Sequence, residues 1–373
     1  MLPCADEPLL LTPGPLTTSR RVKERMLRDW GSRDEAFIRL NREVLERLTA
    51  LVGGSGMVTV PMQGSGSFAV EAMLGSFVPP SGRLLVCVNG AYGRRMAEMA
   101  LRHGRQVSVL EQPEDQPTDV AALDRMLEAD LTISHVAVVH CETTSGILNP
   151  LPEVAATVAR HRRSLLVDAM SAFGALPLDA ASVPFDAVAA SANKCLEGVP
   201  GMGFVIARKE QLAACTGHAP ALCLDLPAQH LTMEQTGQWR FTPPTHVIAA
   251  LHQALLDHEA EGGQSGRLRR YRENCRILVD GMRALGFQTL LAGALQAPII
   301  VTFRLPADPA FGFDRFYDAL RRRGFAIYPG KLTVASSFRI GCIGAMGPAE
   351  MQAAVQAVAE VLDELGLRLP AAA

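Results

Sequence analysis

Short, continuous runs of apolar residues recur through the first half of the chain, at residues 83–88, 135–139, 164–167 and 185–190. Stretches with the apolar spacing of helices separate these runs. A strand that is apolar at every position is covered on both faces, as in a parallel sheet packed between helices. The alternation from about residue 56 to residue 207 therefore predicts an α/β domain with a mostly parallel sheet covered by helices.

The second half of the chain predicts a smaller α/β unit. A long helix is expected over residues 243–259, and the glycine-rich residues 261–266 after it indicate a hinge or a domain boundary. The elements predicted beyond are strands at residues 297–305, 325–328 and 336–343, a helix at residues 314–323 and a last helix that begins at Pro348. The predicted parts are an N-terminal segment over residues 1–20, a large domain over residues 21–260 and a small C-terminal domain over residues 261–373.

Size and charge narrow the classes of function. The chain has 373 residues, of which 48% are hydrophobic and 20% are charged, which suits two domains with substantial cores. Its net charge of −2 argues against a nucleic-acid partner. Arginines cluster at residues 267–270 and 321–323, but apolar residues with helical spacing surround them, so we expect both clusters on solvated helix faces.

The sequence shows neither the pattern of a membrane or secreted protein nor the cysteine spacing of a metal site. No apolar run approaches the roughly 20 residues of a membrane span, and the start lacks the pattern of a signal peptide, so we expect a cytoplasmic protein with no membrane partner. The eight cysteines show no paired metal-ligand spacing, and several lie in apolar runs. We therefore expect reduced, buried thiols, with neither a disulfide framework nor a metal site.

Two polar residues follow predicted strands where α/β enzymes carry their chemistry. Asp168 ends the apolar run at residues 164–167, and Lys194 follows Ser191 after the run at residues 185–190. Both would emerge at the carboxyl edge of a parallel sheet. A lysine there can form a Schiff base with an aldehyde, and a buried carboxylate can keep a heterocyclic nitrogen protonated. For Lys194 alone, a solvated surface lysine is the ordinary alternative.

A glycine–serine stretch at residues 63–67 runs directly into a helix predicted at residues 68–74. Glycine lets the backbone approach an anion closely, and the free N–H groups of a helix start favour negative charge. The stretch therefore predicts a phosphate cradle made of Ser65, Gly66 and Ser67. Plain linkers contain similar sequences, but a cradle, a carboxylate and a lysine in this order are more specific than any one of them.

Motifs spread over nearly the whole chain resemble those of one family. They lie at residues 9–19, 63–71, 89–93, 140–150, 168–174, 191–201, 239–246 and 338–344. Together they are similar to the class-V group of fold-type I aminotransferases, and within it to the family that moves the amine of 2-aminoethylphosphonate to pyruvate. The resemblance implies a pyridoxal 5′-phosphate enzyme with a large and a small domain, and a homodimer whose subunits share their active sites.

The resemblance also implies roles for individual residues. Lys194 would bind the cofactor aldehyde and shuttle a proton, while Asp168 would pair with the pyridine nitrogen. The further cofactor contacts it implies are the phosphate cradle of Ser65, Gly66 and Ser67, the ring contacts Tyr92, Thr143 and Thr144, the strand-end residue Ser191, and Thr242, which would reach the phosphate of the neighbouring subunit. Arg339 would bind the phosphonate of one substrate and the carboxylate of the other.

Several of these residues have ordinary structural alternatives. Tyr92 would instead be a core tyrosine with a satisfied hydroxyl, and Thr143 or Thr144 a turn hydroxyl. Thr242 would be the N-cap of the helix that follows it. Arg339 interrupts an apolar run, where a guanidinium is costly unless it meets an anion, and an internal carboxylate is the alternative to a substrate.

The predicted reaction is a ping-pong transamination. 2-Aminoethylphosphonate would leave as phosphonoacetaldehyde and pyruvate would leave as L-alanine, with no metal required.

The nearest alternatives are a serine- or alanine:glyoxylate-type aminotransferase and a transaminase for a related aminophosphonate. Arg33 is expected near the entrance, and it would favour a related aminophosphonate if its side chain lies in the pocket. A cysteine desulfurase needs an accessible nucleophilic cysteine, whereas Cys342 lies in a predicted strand. A transcription regulator would need an added helix-turn-helix domain, for which the eight residues before the first motif leave no room.

Overall fold

A seven-stranded sheet lies at the centre of the larger part of the protein, in a computed structural model that describes residues 7–332 and 335–370. The strands are β1 (Leu9–Leu10), β2 (Met57–Gln63), β3 (Arg83–Val88), β4 (Gln106–Glu111), β5 (Ile133–Val139), β6 (Cys141–Glu142), β7 (Ile147–Leu148), β8 (Ser164–Asp168), β9 (Ala187–Ser191), β10 (Met202–Arg208), β11 (Ile300–Arg304), β12 (Phe325–Ala326), β13 (Tyr328–Pro329) and β14 (Ser337–Gly341).

Helices cover both faces of this sheet and surround the C-terminal part. They are α1 (Arg20–Glu24), α2 (Glu35–Ala50), α3 (Gly66–Phe77), α4 (Ala91–Arg102), α5 (Val120–Ala129), α6 (Leu151–Arg160), α7 (Lys209–Ala214), α8 (Leu226–Thr236), α9 (Thr245–Ala260), α10 (Gly263–Ala284), α11 (Phe313–Arg322) and α12 (Pro348–Glu364). Within residues 7–332 and 335–370, no helix combines the length and the apolar character that crossing a bilayer requires.

The central sheet confirms the predicted parallel arrangement. Its strands lie in the order β2-β10-β9-β8-β5-β3-β4. Only β10 runs antiparallel to its two neighbours, and the other pairs are parallel. The carboxyl ends of β8 and β9 are therefore adjacent, which brings the sequence that follows each strand to the same edge.

Alternation along β8 shows why its sequence is apolar throughout. Leu165 and Val167 point into the core on one face, with α2, α5, α6 and α9, whereas Leu166 points into the core on the other face, with α3 and α4. All three side chains are buried. Full burial of such a side chain is worth about 1.5–3 kcal/mol, so a polar residue at any of these positions would be strongly destabilising.

The C-terminal part contains a three-stranded antiparallel sheet in the order β11-β14-β13. It packs on α10, α11 and α12 through a cluster of aromatic rings, in which Phe287 and Phe338 meet edge to face at 5.5 Å. The strand predicted at residues 325–328 divides into β12 and β13, because β12 pairs with β1 while β13 pairs with β14. The N-terminal segment is therefore attached to the C-terminal part of the chain.

The glycine-rich residues 261–266 do not form an extended hinge. Glu261 caps the end of α9, Gly262 takes a left-handed conformation with φ of 99°, and α10 begins at the next residue. The connection is thus a tight turn between two helices. The domain division at residue 260 stays a prediction.

The cysteines follow the expectation of burial with one exception. Six of the seven described cysteines are buried, whereas Cys223 is exposed; Cys4 lies outside the described residues. Cys342 directly follows β14 and is completely buried. Its thiol hydrogen-bonds Cys275, which together with burial raises its pKa well above the ordinary value. A desulfurase needs an accessible cysteine whose thiol ionises readily, so the burial and the raised pKa of Cys342 argue against that role.

Candidate active site

A cavity of about 210 Å³ opens at the carboxyl edge of β8 and β9. It brings together most of the predicted site residues, namely Ser65, Gly66, Ser67, Tyr92, Thr143, Asp168, Ser191 and Lys194. Larger clefts lie elsewhere on the protein, but this cavity contains both the amine and the carboxylate on which the predicted chemistry depends. The predicted residues Thr144, Thr242 and Arg339 do not line it.

Lys194 reaches the cavity from the loop that follows β9. Its Nζ donates to the carbonyl oxygen of Pro13 at 2.7 Å and lies 3.3 Å from that of Gly14. Burial lowers the pKa of Lys194, and the positive charge of Arg339 acts in the same direction. A lowered pKa raises the fraction of neutral amine, which is the nucleophilic form.

Gly14 passes closely over the lysine side chain. It has a φ of 109°, and a Cβ built on it would lie 2.6 Å from Cδ of Lys194 and 2.8 Å from the carbonyl oxygen of Asn193. Both the backbone conformation and the space therefore require glycine.

We expect Gly14→Ala to slow covalent attachment of the cofactor about tenfold or more, because the methyl group displaces the lysine from its carbonyl partners. The measurement is the rate at which the absorbance band of lysine-bound pyridoxal phosphate appears after mixing with cofactor-free protein. Gly217→Ala is a matched control, since Gly217 also has a positive φ, of 85°, but has open space around it. An equal loss in both variants would mean that backbone strain alone is responsible.

Asp168 lies at the base of the cavity, at the end of β8. Its side chain is 5% exposed, and its Oδ1 accepts a hydrogen bond from the backbone N–H of Met170 at 2.9 Å. Burial raises the pKa of Asp168 to about 6, Glu142 adds to this effect, and the positive charges of Lys194 and Arg95 oppose it. A buried carboxylate of this kind gains most from a cationic partner placed directly against it.

The phosphate cradle has the geometry of an anion site. Ser65 is the N-cap of α3 but makes no side-chain capping bond, and of the first-turn N–H groups only that of Phe68 has a backbone acceptor in the described part of the chain, so those of Gly66 and Ser67 stay available. Across the cavity, the buried Oγ of Ser191 has no hydrogen-bond partner. An unsatisfied buried hydroxyl and free amide donors at a helix start are what a phosphate group would satisfy. With the amine of Lys194 and the carboxylate of Asp168, these features fit pyridoxal phosphate.

Arg95 is a site residue that the sequence interpretation missed. Its Nη1 donates to Oγ of Ser67 at 3.2 Å, and its guanidinium lies 5.0 Å from the ring centroid of Tyr92. It also lines the cavity. Its spacing could have indicated the role, because residues three apart in a helix share a face, and Tyr92 was already a candidate.

We expect Arg95→Met to raise the dissociation constant of pyridoxal phosphate about 10- to 100-fold, as loss of one charged hydrogen bond would. The measurement is a titration of cofactor-free protein followed by fluorescence. The adjacent Arg94 offers a matched control, because it forms ion pairs with Glu111 and Glu114 outside the cavity. Unchanged affinity in Arg95→Met, or an equal change in Arg94→Met, would contradict a role in phosphate binding.

Tyr92 and the two threonines differ in their surroundings. Tyr92 is half-buried in the first turn of α4 and faces the cavity, as Thr143 does. Thr144 is completely buried, and its Oγ1 donates to Glu142 at 2.7 Å and accepts the N–H of Ala91 at 2.9 Å. The hydroxyl of Thr144 thus fastens the start of α4 to β6. A cofactor contact by Thr144 stays a prediction that this geometry does not support.

Thr242 is exposed and precedes two prolines. The N-cap of α9 is Pro244, so the alternative interpretation of Thr242 as the helix N-cap is wrong. Because α9 begins only at Thr245, Thr242 lies in the connection before the helix, away from the cavity of its own chain. Its contact with a neighbouring subunit stays a prediction.

Arg339 lies in the centre of β14 and is 6% exposed. Its Nε donates to the carbonyl oxygen of Pro329 at 3.1 Å, and its Nη1 donates to that of Thr143 at 2.9 Å. Among residues 7–332 and 335–370, no carboxylate lies within ion-pair distance of this guanidinium. The alternative of an internal salt bridge is therefore wrong. Neutral carbonyls orient the side chain and leave its positive charge uncompensated, as an anion site requires.

A buried network holds the segment after Lys194. The carboxylate of Glu197 accepts from Arg270 at 2.8 Å and from the hydroxyl of Tyr271 at 2.6 Å, while Arg267 donates to the carbonyl oxygen of Cys195. Arg267 is almost completely buried, so the prediction of a solvated face is wrong for this residue, whereas Arg269 of the same cluster is exposed. The second cluster does lie near the surface, where Arg322 and Arg323 pair with Glu364.

Comparisons with known proteins place this geometry in a family. A family model described as aminotransferase class-V matches residues 28–338. A 2-aminoethylphosphonate–pyruvate transaminase of Pseudomonas entomophila (strain L48) is 55% identical over 362 residues, which are 97% of this chain and 98% of that protein. A protein of the same name from Pseudomonas aeruginosa is 55% identical over 359 residues, or 96% and 97% of the two chains.

Solved structures support the same fold. A pyridoxamine–pyruvate aminotransferase from Mesorhizobium loti superposes with a TM-score of 0.89 at 25% identity, over 97% of this chain and 94% of that one. An aspartate aminotransferase from Thermus thermophilus gives a TM-score of 0.87 at 24% identity, over 96% and 99% of the chains. The predicted fold-type I architecture and the resemblance in motifs are confirmed. The chain belongs to the class-V aminotransferases.

Proposed function

We propose that this aminotransferase uses pyridoxal 5′-phosphate to convert 2-aminoethylphosphonate and pyruvate into phosphonoacetaldehyde and L-alanine. The observation that carries the proposal is the convergence of Lys194, Asp168 and the phosphate cradle in one cavity. The substrate pair is suggested by relatives of that name at 55% identity over 97% of the chain. We further propose a cytoplasmic homodimer in which Thr242 completes the partner's cofactor site.

When bound, pyridoxal phosphate supplies an aldehyde that condenses with amines and a ring that accepts electrons from the carbon that loses its proton. The phosphate cradle, Ser191 and Arg95 would hold its phosphate through amide N–H groups, hydroxyls and one positive charge. The carboxylate of Asp168 would hold a proton on the ring nitrogen, and Tyr92 would lie over the ring.

Lys194 would have two tasks. Its amine would hold the aldehyde of the cofactor while no substrate is bound, and it would be free once the amine of the substrate takes its place. The free Nζ would take the proton from the amine-bearing carbon and deliver it to the cofactor. The carbonyl oxygens of Pro13 and Gly14 orient the released amine, since both already accept from Nζ. In the return half-reaction the same atom moves the proton in the opposite direction.

Arg339 would bind the anionic end of each substrate. Its guanidinium has two edges oriented by the carbonyl oxygens of Pro329 and Thr143, and Thr143 itself lines the cavity. A forked guanidinium can donate hydrogen bonds both to the planar oxygens of a carboxylate and to the tetrahedral oxygens of a phosphonate. The two substrates would therefore occupy the same place in turn.

The test is a set of single half-reactions with cofactor-loaded protein in the absence of any keto acid. We expect 2-aminoethylphosphonate and L-alanine to bleach the visible absorbance of the bound cofactor, and L-serine to do so poorly. Chromatography of the phosphonate sample should reveal phosphonoacetaldehyde. Bleaching by L-serine and none by the phosphonate would overturn the proposed substrate and favour a serine- or alanine:glyoxylate-type enzyme.

A further inference from the structure

If one anion site binds both proposed substrates, it must bind two groups that differ in negative charge. A carboxylate carries one negative charge, whereas a phosphonate near neutral pH carries one to two, as a phosphate ester does. Arg339 supplies one positive charge in both half-reactions. Preference for the phosphonate would therefore need a second cation close to the same place. This inference rests on the proposed function and concerns which residue supplies that charge.

Lys331 is held next to Arg339 by the backbone. It lies in the turn after β13, two residues beyond Pro329, whose carbonyl oxygen accepts from Nε of Arg339 at 3.1 Å. Tyr328 is the direct partner of Arg339 in the pairing of β13 with β14. The N–H of Gly330 then donates to the carbonyl oxygen of Ser337 at 2.8 Å. The residues directly before Lys331 are therefore fastened to the strand of Arg339.

The amine of Lys331 also reaches the cavity wall. Its Nζ lies 4.3 Å from the ring centroid of Tyr92, within the range of a cation–π contact. Burial raises the pKa of Tyr92, but the positive charges of Lys331 and Lys194 outweigh burial and hold this pKa below its ordinary value. The two amines therefore act on the same phenol, and Lys331 is positioned at the substrate end of the site.

The charge of Lys331 is not compensated within the described part of the chain. No carboxylate in residues 7–332 and 335–370 lies within ion-pair distance of its amine. The nearby carboxylate of Glu142 is buried and accepts from the N–H groups of Tyr92, Gly93 and Thr144 instead. A half-exposed amine held against an aromatic ring beside an unpaired arginine is suited to an anion with more than one charge.

We propose that Lys331 is a specificity-determining residue that binds the second negative charge of the phosphonate, whereas Arg339 binds the charge that both substrates share. Loss of Lys331 should then weaken one half-reaction and spare the other. The aromatic ring of Tyr92 would keep the amine near the substrate while the site is empty.

The experiment compares single half-reactions of Lys331→Met with those of the unaltered protein, both loaded with cofactor. We expect kcat/KM to fall about 10- to 100-fold for 2-aminoethylphosphonate, as for loss of one charged hydrogen bond, and less than about threefold for L-alanine. Lys331→Arg should retain most of the phosphonate activity, since it keeps the charge. Lys209→Met is the matched control, because Lys209 follows the far end of β10 and pairs with Glu234.

A binding measurement separates failure of this inference from failure of the proposed function. Inhibition of the L-alanine half-reaction by methylphosphonate and by acetate needs no turnover of a phosphonate substrate. In the unaltered protein, methylphosphonate should inhibit more strongly as the pH rises through its second ionisation. Lys331→Met should abolish this increase in inhibition with pH. Inhibition by acetate should be the same in both proteins. Equal weakening of both inhibitors, or of neither, would overturn the role of Lys331. A failure of the unaltered protein to react with 2-aminoethylphosphonate would overturn the substrate alone.

Discussion

Lys194→Ala is expected to reduce the rate of each half-reaction by on the order of 10⁴-fold or more, because it would remove the proposed base for the substrate proton. It also removes the amine that holds the aldehyde, so the absorbance band of lysine-bound cofactor should be missing at every pH. Stopped-flow absorbance with 2-aminoethylphosphonate measures the rate, and the static spectrum measures the attachment.

Two controls make the Lys194 result specific. Lys209→Ala removes an exposed lysine at the opposite edge of the sheet and should leave both readouts unchanged. A small amine added to the Lys194→Ala protein should restore part of the rate, since a free base can enter the cavity and accept the proton. If the variant kept more than about a hundredth of the normal rate, another group would have to be the base.

Asp168→Asn should have opposite effects on activity and on stability. In the loaded enzyme it would remove one partner of the proposed buried charge pair with the ring nitrogen, at a cost of about 3–5 kcal/mol, which corresponds to a rate loss of roughly 10²- to 5 × 10³-fold. In the cofactor-free protein no cation of residues 7–332 and 335–370 is in direct contact with the same carboxylate, and burial raises its pKa to about 6. There the substitution should be stabilising.

The pH dependence of the Asp168 effect follows from the direction of the shift. The folded protein binds the proton more tightly than the unfolded chain, in which the pKa is near the ordinary value of 3.8. The favourable contribution is therefore full below about pH 4 and is lost as pH rises through about 6. At pH 7.5, cofactor-free Asp168→Asn should gain up to about 3 kcal/mol over the unaltered protein.

Thermal unfolding of both cofactor-free proteins at pH 3.5 and pH 7.5 measures this difference; the pH values bracket the titration expected from the raised pKa. The midpoints should nearly coincide at the lower pH and separate at the higher one, with Asp168→Asn unfolding later. Saturating pyridoxal phosphate should remove or reverse the order at the higher pH. Earlier unfolding of the cofactor-free variant at pH 7.5 would mean that Asp168 is stabilised by partners that the cavity geometry does not reveal.

Much of the architecture could be predicted from apolar patterning, because continuous apolar runs and helical spacing report burial directly. The run at residues 83–88 forms β3 over the same residues, and the helix predicted from Pro348 forms α12, where Glu350 accepts the N–H of Gly347 at 2.9 Å. Short strands were harder to predict. The run at residues 325–328 is apolar throughout, and only its pairing with two different partners divides it.

The site was predictable as far as chemistry follows directly after a strand. Lys194 and Asp168 could be placed by topology, since the ends of neighbouring parallel strands meet. Arg95 was missed although its helical spacing from Tyr92 offered a signal. Lys331 could not be placed, because its long side chain reaches Tyr92 from the segment after β13, and no local pattern distinguishes it from a solvated cation. The burial of Arg267 was missed for a similar reason, since the carboxylate of Glu197 and the carbonyl oxygen of Cys195 lie on a distant segment of the chain.

The attachment of the N-terminal segment bears on the order of events during synthesis. The carbonyl oxygens that bind Nζ of Lys194 follow β1, which pairs with β12, and Leu11 is bonded further to Ala326 and Gly341. These partners lie near opposite ends of the chain. We therefore expect the amine of Lys194 to acquire its carbonyl partners only after the ribosome has released the residues of β12. On the proposed role of Lys194, a nascent chain that already contains this lysine would not yet be a competent enzyme.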